Sequence, residues 1–190
     1  MRRILATLGT ALVLISCSND PVARPQGYMR IDLPKHDSLV AMAPENCGFQ
    51  ALRNNRAVWR YKDSANCYID LVYPTILSTI QLTYKQVEGN LEELVVDAQK
   101  LAYKHTVKAT GMREQFFSYD QKRVFGMYYE MSGASASTTQ FYATDSTDHF
   151  IRGVLYHYSA PNPDSLAPVT AFMREEMLEF ISTLEWNYER

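Results

Sequence analysis

The sequence predicts an α+β fold, an antiparallel sheet meander with two helices packed on it. Three observations carry that prediction. β-Branched and aromatic residues alternate with polar ones at period two in a series of short segments. The later segments are joined by polar turns, whereas parallel neighbours need crossovers of about a dozen residues. Two longer stretches instead repeat apolar residues at helical spacing.

Phe49 to Leu52 and Ala57 to Tyr61 read as strands on either side of Arg53-Asn54-Asn55-Arg56, a polar, hairpin-like turn. Cys67 to Tyr73 and Ser78 to Tyr84 alternate cleanly and are separated by Pro74. Asn90-Leu91-Glu92-Glu93 resembles a capping box, and Leu91, Leu94, Val95, Ala98, Leu101, Ala102 and His105 share one stripe. A helix from Leu91 to about Thr106 follows, with Lys100, Lys104 and Lys108 placed to suit its C-terminal dipole. Met112 to Tyr119, Arg123 to Ser132, Thr138 to Thr144 and Phe150 to Tyr158 form a four-strand meander, with Phe125, Met127, Tyr129 and Met131 facing inward. The last helix opens at Asp164-Ser165, takes Pro168 in its first turn and buries Leu166, Val169, Phe172, Met173, Met177, Phe180, Ile181 and Leu184. Both helices are expected to cover one face, which leaves the strand tyrosines and His157 for the wet face.

Composition narrows the function. Of 190 residues, 46% are hydrophobic and 21% charged, which is ordinary for a globular chain and excludes disorder and fibrous repeats. A net charge of -2 supplies no field for holding a phosphate backbone, so nucleic acid is not an expected partner.

The N-terminus is more specific. Arg2 and Arg3 precede an apolar run from Ile4 to Ile15, too short to span a bilayer, and Leu14-Ile15-Ser16-Cys17 closes it. A small residue followed by cysteine is a lipobox, because only a thiol carries the thioether-linked diacylglycerol. A further acyl chain on the freed amine completes a stable anchor, since one chain alone binds membranes weakly. The reading is therefore residues 1–16 as a lipoprotein signal peptide, 17–44 as a lipidated, extended tether, and 45–190 as a single α+β domain. Pro21, Pro25, Pro34 and Pro44 punctuate the tether. Within it, Arg24 to Pro34 mixes aromatic, aliphatic and polar residues, so Tyr28, Arg30 and Asp32 are candidate partner-binding residues.

In an exported, oxidising setting the remaining pair, Cys47 and Cys67, reads as a disulfide. No histidine or third cysteine accompanies them at zinc spacing, so no metal or other cofactor is expected. Catalytic signatures fail as well. Gly-x-Ser-x-Gly, His-Glu-x-x-His and phosphate-cradling glycine loops do not occur. Ser146, Asp148 and His149 sit at turn spacing, where a polar turn needs such residues regardless of chemistry. Glu92-Glu93 and Glu175-Glu176 read as solvated helix faces, and His105 as a core histidine. Tyr128, Tyr142 and Tyr156 could ring a groove for a peptide or glycan.

The lipobox at Cys17, the segment Arg24 to Pro34 and the two later cysteines resemble the gliding-motility lipoprotein GldD family of the Bacteroidetes. Leu101 to Ala109, Ala143 to Gly153, Asp164 to Val169 and Leu184-Glu185-Trp186 are similar to it too. The resemblance implies a non-enzymatic envelope lipoprotein, an assembly or stability component of gliding motility and the type IX secretion system. It implies a lipid-anchored protein of the outer membrane facing the periplasm, with other envelope proteins as partners and no small-molecule substrate. The order of elements is also similar to PsbP/Mog1-like domains, a likeness of fold alone. Two alternatives stay open: a ligand-binding module using the tyrosine-rich sheet, and a hydrolase using Ser146 or Asp148 with His149.

Overall fold

The computed structural model describes residues 31–36, 38–159 and 162–188. Among the described residues, ten strands and two α-helices run in the order β1 (Leu39–Met42), β2 (Phe49–Asn54), β3 (Val58–Asp63), β4 (Tyr68–Tyr73), β5 (Ser78–Gln86), α1 (Leu91–Lys104), β6 (Ala109–Tyr119), β7 (Val124–Gly133), β8 (Thr139–Thr144), β9 (His149–His157), α2 (Pro163–Thr183) and β10 (Glu185–Trp186). Seven strands form one antiparallel sheet in the order β3-β4-β5-β9-β8-β7-β6, and three form a second in the order β1-β2-β10. The meander of β6 to β9 is as expected. Its last strand returns to pair with β5 over Ser78↔His157 to Gln86↔His149, which joins the two strand blocks into one sheet.

The hairpin expected at Arg53 to Arg56 does not form. β2 pairs with β1 and β10, whereas β3 pairs with β4, so this bend carries the chain from one sheet to the other. Asn54 makes the corner. It is fully buried, its Oδ1 accepts from Arg56 N at 2.9 Å, and its Nδ2 donates to Lys35 O at 2.8 Å. A polar turn and a corner between sheets want the same residue types, so composition did not separate them.

The helices lie on opposite faces of the large sheet, not on one. Tyr128, Phe141, Ala143, Ile151 and Leu155 belong to the core under α2, while the alternate positions Tyr129, Met131, Tyr142 and Phe150 pack with Ala98 and Ala102 of α1. Side chains of successive strand residues point to opposite faces, so β7, β8 and β9 are apolar on both. Met127 therefore packs only against the smaller core, and the larger one takes Val124 and Tyr128. Gly126 and Glu130 disguise that second face in the sequence. Gly153 is required by packing, because its Cβ would lie 2.1 Å from the Phe141 ring across the strand pair.

Helix ends also differ from expectation. The Asn90 side chain turns back to accept from Glu88 N at 3.0 Å and makes no cap bond to the helix, so the capping box does not form. Leu101 is exposed, so the buried part of the α1 stripe is narrower than its spacing suggests. Asn162, not Asp164 or Ser165, caps α2, accepting from Ser165 N at 3.2 Å, and Pro163 takes the first helical position. That places Pro168 inside the helix, where its missing N–H removes a ladder bond.

The folded body also begins earlier than residue 45. β1 pairs along β2 from Leu39↔Asn54 to Met42↔Ala51, and His36 is packed against Phe172 with ring centroids 4.3 Å apart.

Candidate functional site

Of the sequence-derived site residues, Cys17, Tyr28 and Arg30 lie outside the described residues. Asp32 is exposed, close to where the N-terminal strip meets the body. The side chain that makes this attachment was not anticipated. Glu176, expected on a solvated face, is only 4% exposed and sits at the centre of a polar cluster. Its Oε1 accepts from Asn54 Nδ2 at 3.0 Å and faces His36 Nδ1 at 2.7 Å, and its Oε2 accepts from Tyr73 OH at 2.6 Å. His36 Nε2 lies 2.8 Å from Glu175 Oε2. Burial, reinforced by Glu176, pushes the Tyr73 phenol well above its ordinary pKa, so it stays protonated and keeps donating. Partners on both carboxylate oxygens are what allow the Glu176 side chain to be buried. The N-terminal segment, β2, β4 and α2 thus meet on one carboxylate. Its signal was present in the sequence: Glu176 is spaced three and four residues from Met173, Phe172 and Phe180, on the buried stripe of α2.

Cys47 and Cys67 form a disulfide with Cα atoms 5.8 Å apart. Cys47 precedes β2 and Cys67 precedes β4, so the bond staples the small sheet to the large one.

Near that staple lies the turn that carries Ser146, Asp148 and His149. It is built by Asp145, whose Oδ1 accepts from the backbone N–H of Thr147, Asp148 and His149 at 3.0, 2.8 and 2.9 Å. Its Oδ2 accepts from Thr147 Oγ1 and Tyr188 OH at 3.0 and 3.1 Å. Burial pushes the Asp145 carboxyl up, but the bonds from Thr147, His149 and Asp148 outweigh it and hold the pKa at about 2. Ser146 adopts φ 72, and its N–H donates to Thr144 Oγ1. His149 Nδ1 pairs with Tyr84 OH at 2.7 Å, and its ring stacks on Trp186 with centroids 5.3 Å apart. Burial holds the His149 pKa below that of an ordinary histidine, against the opposing pull of Asp145 and Asp148. A serine nucleophile needs a histidine held on its hydroxyl and a carboxylate behind the ring. Here the histidine is held by a phenol and the carboxylate is spent on the turn.

The groove that Tyr128, Tyr142 and Tyr156 could have ringed is not built. Tyr128 packs in the core under α2, whereas Tyr142 packs in the core under α1. His157 is likewise not on a wet face. Its Nδ1 meets Ser78 Oγ at 2.8 Å and its Nε2 meets Thr170 Oγ1 at 3.1 Å. Ser78 gives its own proton to Ile76 O, so His157 Nδ1 carries the proton of that pair.

The family model for the gliding motility lipoprotein GldD matches residues 18–186. The chain belongs to the GldD family. Membership in this family of gliding motility lipoproteins makes the chain a lipid-anchored envelope protein and a gliding motility component. No helix among the described residues is long and apolar enough to cross a membrane. No curated protein matches the chain. Among solved structures it is similar to the solution structure of cyanobacterial PsbP (CyanoP) from Synechocystis sp. PCC 6803. The two share 10% identity and a TM-score of 0.47 over 92% of this chain and 99% of that one.

Proposed function

We propose that this GldD-family chain is a non-enzymatic assembly and stability component of the gliding motility and type IX secretion machinery, anchored by lipid on Cys17 in the outer membrane and facing the periplasm. The family match over residues 18–186 carries the reading. Residues 1–16 act as the export signal, and the residues after Cys17 form the tether. The strip bearing Tyr28, Arg30 and Asp32 contacts an envelope partner. The clasp at His36 and Glu176 supports this arrangement, because it fixes the point from which the strip leaves the body. The Tyr84–His149 pairing and the committed Asp145 carboxylate support a non-catalytic role.

Chromosomal replacements test the reading through colony spreading and the amount of protein secreted. Cys17→Ala is expected to release the chain from the outer-membrane fraction and to abolish both activities. Arg30→Glu with Asp32→Lys should reduce both while leaving the chain membrane-bound. Ser146→Ala and Asp148→Asn should leave both at wild-type level. Loss of spreading with either of these last two variants, in a normally folded and anchored chain, would overturn the non-enzymatic reading.

A further inference from the structure

A polar cleft of about 690 Å³ opens beside the His149 turn, where β5 and β9 meet the loop before β2 and the residues after β10. Its lining includes Asn46, Gln86, Asp148, His149, Asn187 and Tyr188. Anchoring and assembly give this cleft no task.

Its floor is His149. His149 is 6% exposed, with Nδ1 engaged by Tyr84, and its Nε2 is closed to solvent with no hydrogen-bond partner among the described residues. Its walls are rigid. The Cys47–Cys67 disulfide crosses one side, and Asn187 N donates to Gly48 O at 3.0 Å. Gly48 leaves room for the floor, since a Cβ there would lie 2.8 Å from His149 Nδ1 and 2.1 Å from Tyr84 OH. Asp145 pins the opposite wall through its three backbone bonds. A cleft ordered before its ligand arrives loses less entropy on binding.

The rim sets the ligand class. Asn46, Gln86 and Asn187 each carry both donors and an acceptor on one planar group, which matches hydroxyls that also donate and accept. No lysine or arginine is among the lining residues, and Arg123 nearby is directed to the Thr147 hydroxyl and the Tyr188 ring, so the charge an anion would meet in the lining is the Asp148 carboxylate. Tyr188, 46% exposed, offers an aromatic ring, and the electron-rich face of such a ring attracts the C–H face of a sugar. The volume is that of a small-molecule site. We propose that this cleft binds a neutral saccharide of mono- or disaccharide size, without converting it. The proposal is independent of the anchoring reading, because it is tested on isolated protein.

The test uses the full chain as isolated from cells, in a zwitterionic, sugar-free detergent, titrated with maltose, cellobiose and N,N′-diacetylchitobiose. Trialanine and inorganic phosphate serve as counter-probes. Trp186 stacks on His149 and so provides a fluorescence readout, with saturation-transfer NMR on the sugar protons as a second measurement. At least one disaccharide is expected to bind saturably at about millimolar Kd. Tyr188→Ala and Gln86→Ala should each weaken that binding about tenfold. Because Tyr188 also bonds Asp145, Gln86→Ala decides the outcome if the Tyr188 variant melts early. The proposal is overturned if none of the three sugars saturates below about 100 mM. Undiminished binding in a folded Gln86→Ala chain, or saturable binding of the peptide or phosphate alone, would also overturn it.

Discussion

His36 and Glu176 are joined across 2.7 Å, although one belongs to the N-terminal segment and the other to the buried side of α2. The same carboxylate holds Asn54 and Tyr73, so its removal strands two buried donors as well as the histidine. Breaking a buried charged network on one side is strongly destabilising, because the remaining groups keep their desolvation cost. Glu176→Ala is expected to lower unfolding stability by about 3 kcal/mol. His36→Ala acts at a partly exposed side chain and should cost about 1 kcal/mol or less. The His36 variant should still open the segment around Lys35 to limited proteolysis under native conditions. Urea unfolding measures the first effect and protease mapping the second. A Glu176→Ala chain as stable as wild type would show that the cluster does not hold the segment.

Acid should act through Asp145. Its folded pKa of about 2 lies below the ordinary carboxylate value near 3.9, so the folded state favours the ionised form. A group depressed in this way contributes stability that is fully present above its unfolded pKa. That contribution fades as pH falls through the interval between the two values. Lowering pH from about 5 to about 2 should therefore remove on the order of 1–2 kcal/mol through this residue. Asp145→Asn should be less stable at neutral pH and show a flatter stability profile over the same interval. Parallel pH profiles for the two chains would assign the acid sensitivity elsewhere.

How much of this was legible depended on whether local pattern or distant contact decided each element. Cys67 to Tyr73 and Ser78 to Tyr84 announced themselves because alternation, β-branching and Pro74 all agreed. The placement of α1 and α2 on opposite faces was hidden in the central strands. β8 is buried at every position, so its sequence has no polar face from which to read orientation. Asn54 was read as part of a hairpin turn, but it ends β2, and nothing local shows that its side chain reaches an α2 glutamate over a hundred residues away. Cys47 and Cys67 were readable from number and setting alone. The cleft beside them was not, because its lining comes from four separate stretches of chain.

Pro168 offers a stabilising substitution. It lies on an exposed position inside α2, beyond the first turn, where proline withholds one helical hydrogen bond and crowds the preceding turn. Alanine restores the donor and has the highest helix propensity, although the helix has already relaxed around the ring. Pro168→Ala should raise stability by about 1–2 kcal/mol, read as a higher urea midpoint at unchanged slope. A lower midpoint would mean that the proline ring makes contacts worth more than the missing bond.

The disulfide gives a final prediction, because it joins the two sheets at the wall of the cleft. Cross-linking residues separated by 20 positions restricts the unfolded chain by about 3 kcal/mol on the chain-entropy account. Cys47→Ser with Cys67→Ser should lose about that much stability, and reductant should lower the wild-type melting midpoint toward that of the double variant. The loss should be uneven in space. Gly48, Tyr84 and His149 adjoin the staple, so their amides should lose more hydrogen-exchange protection than those of β7, which sits on the far side of β8 and β9. A uniform loss across both regions would mean that the bond acts only on the unfolded chain, with no role in holding the cleft wall.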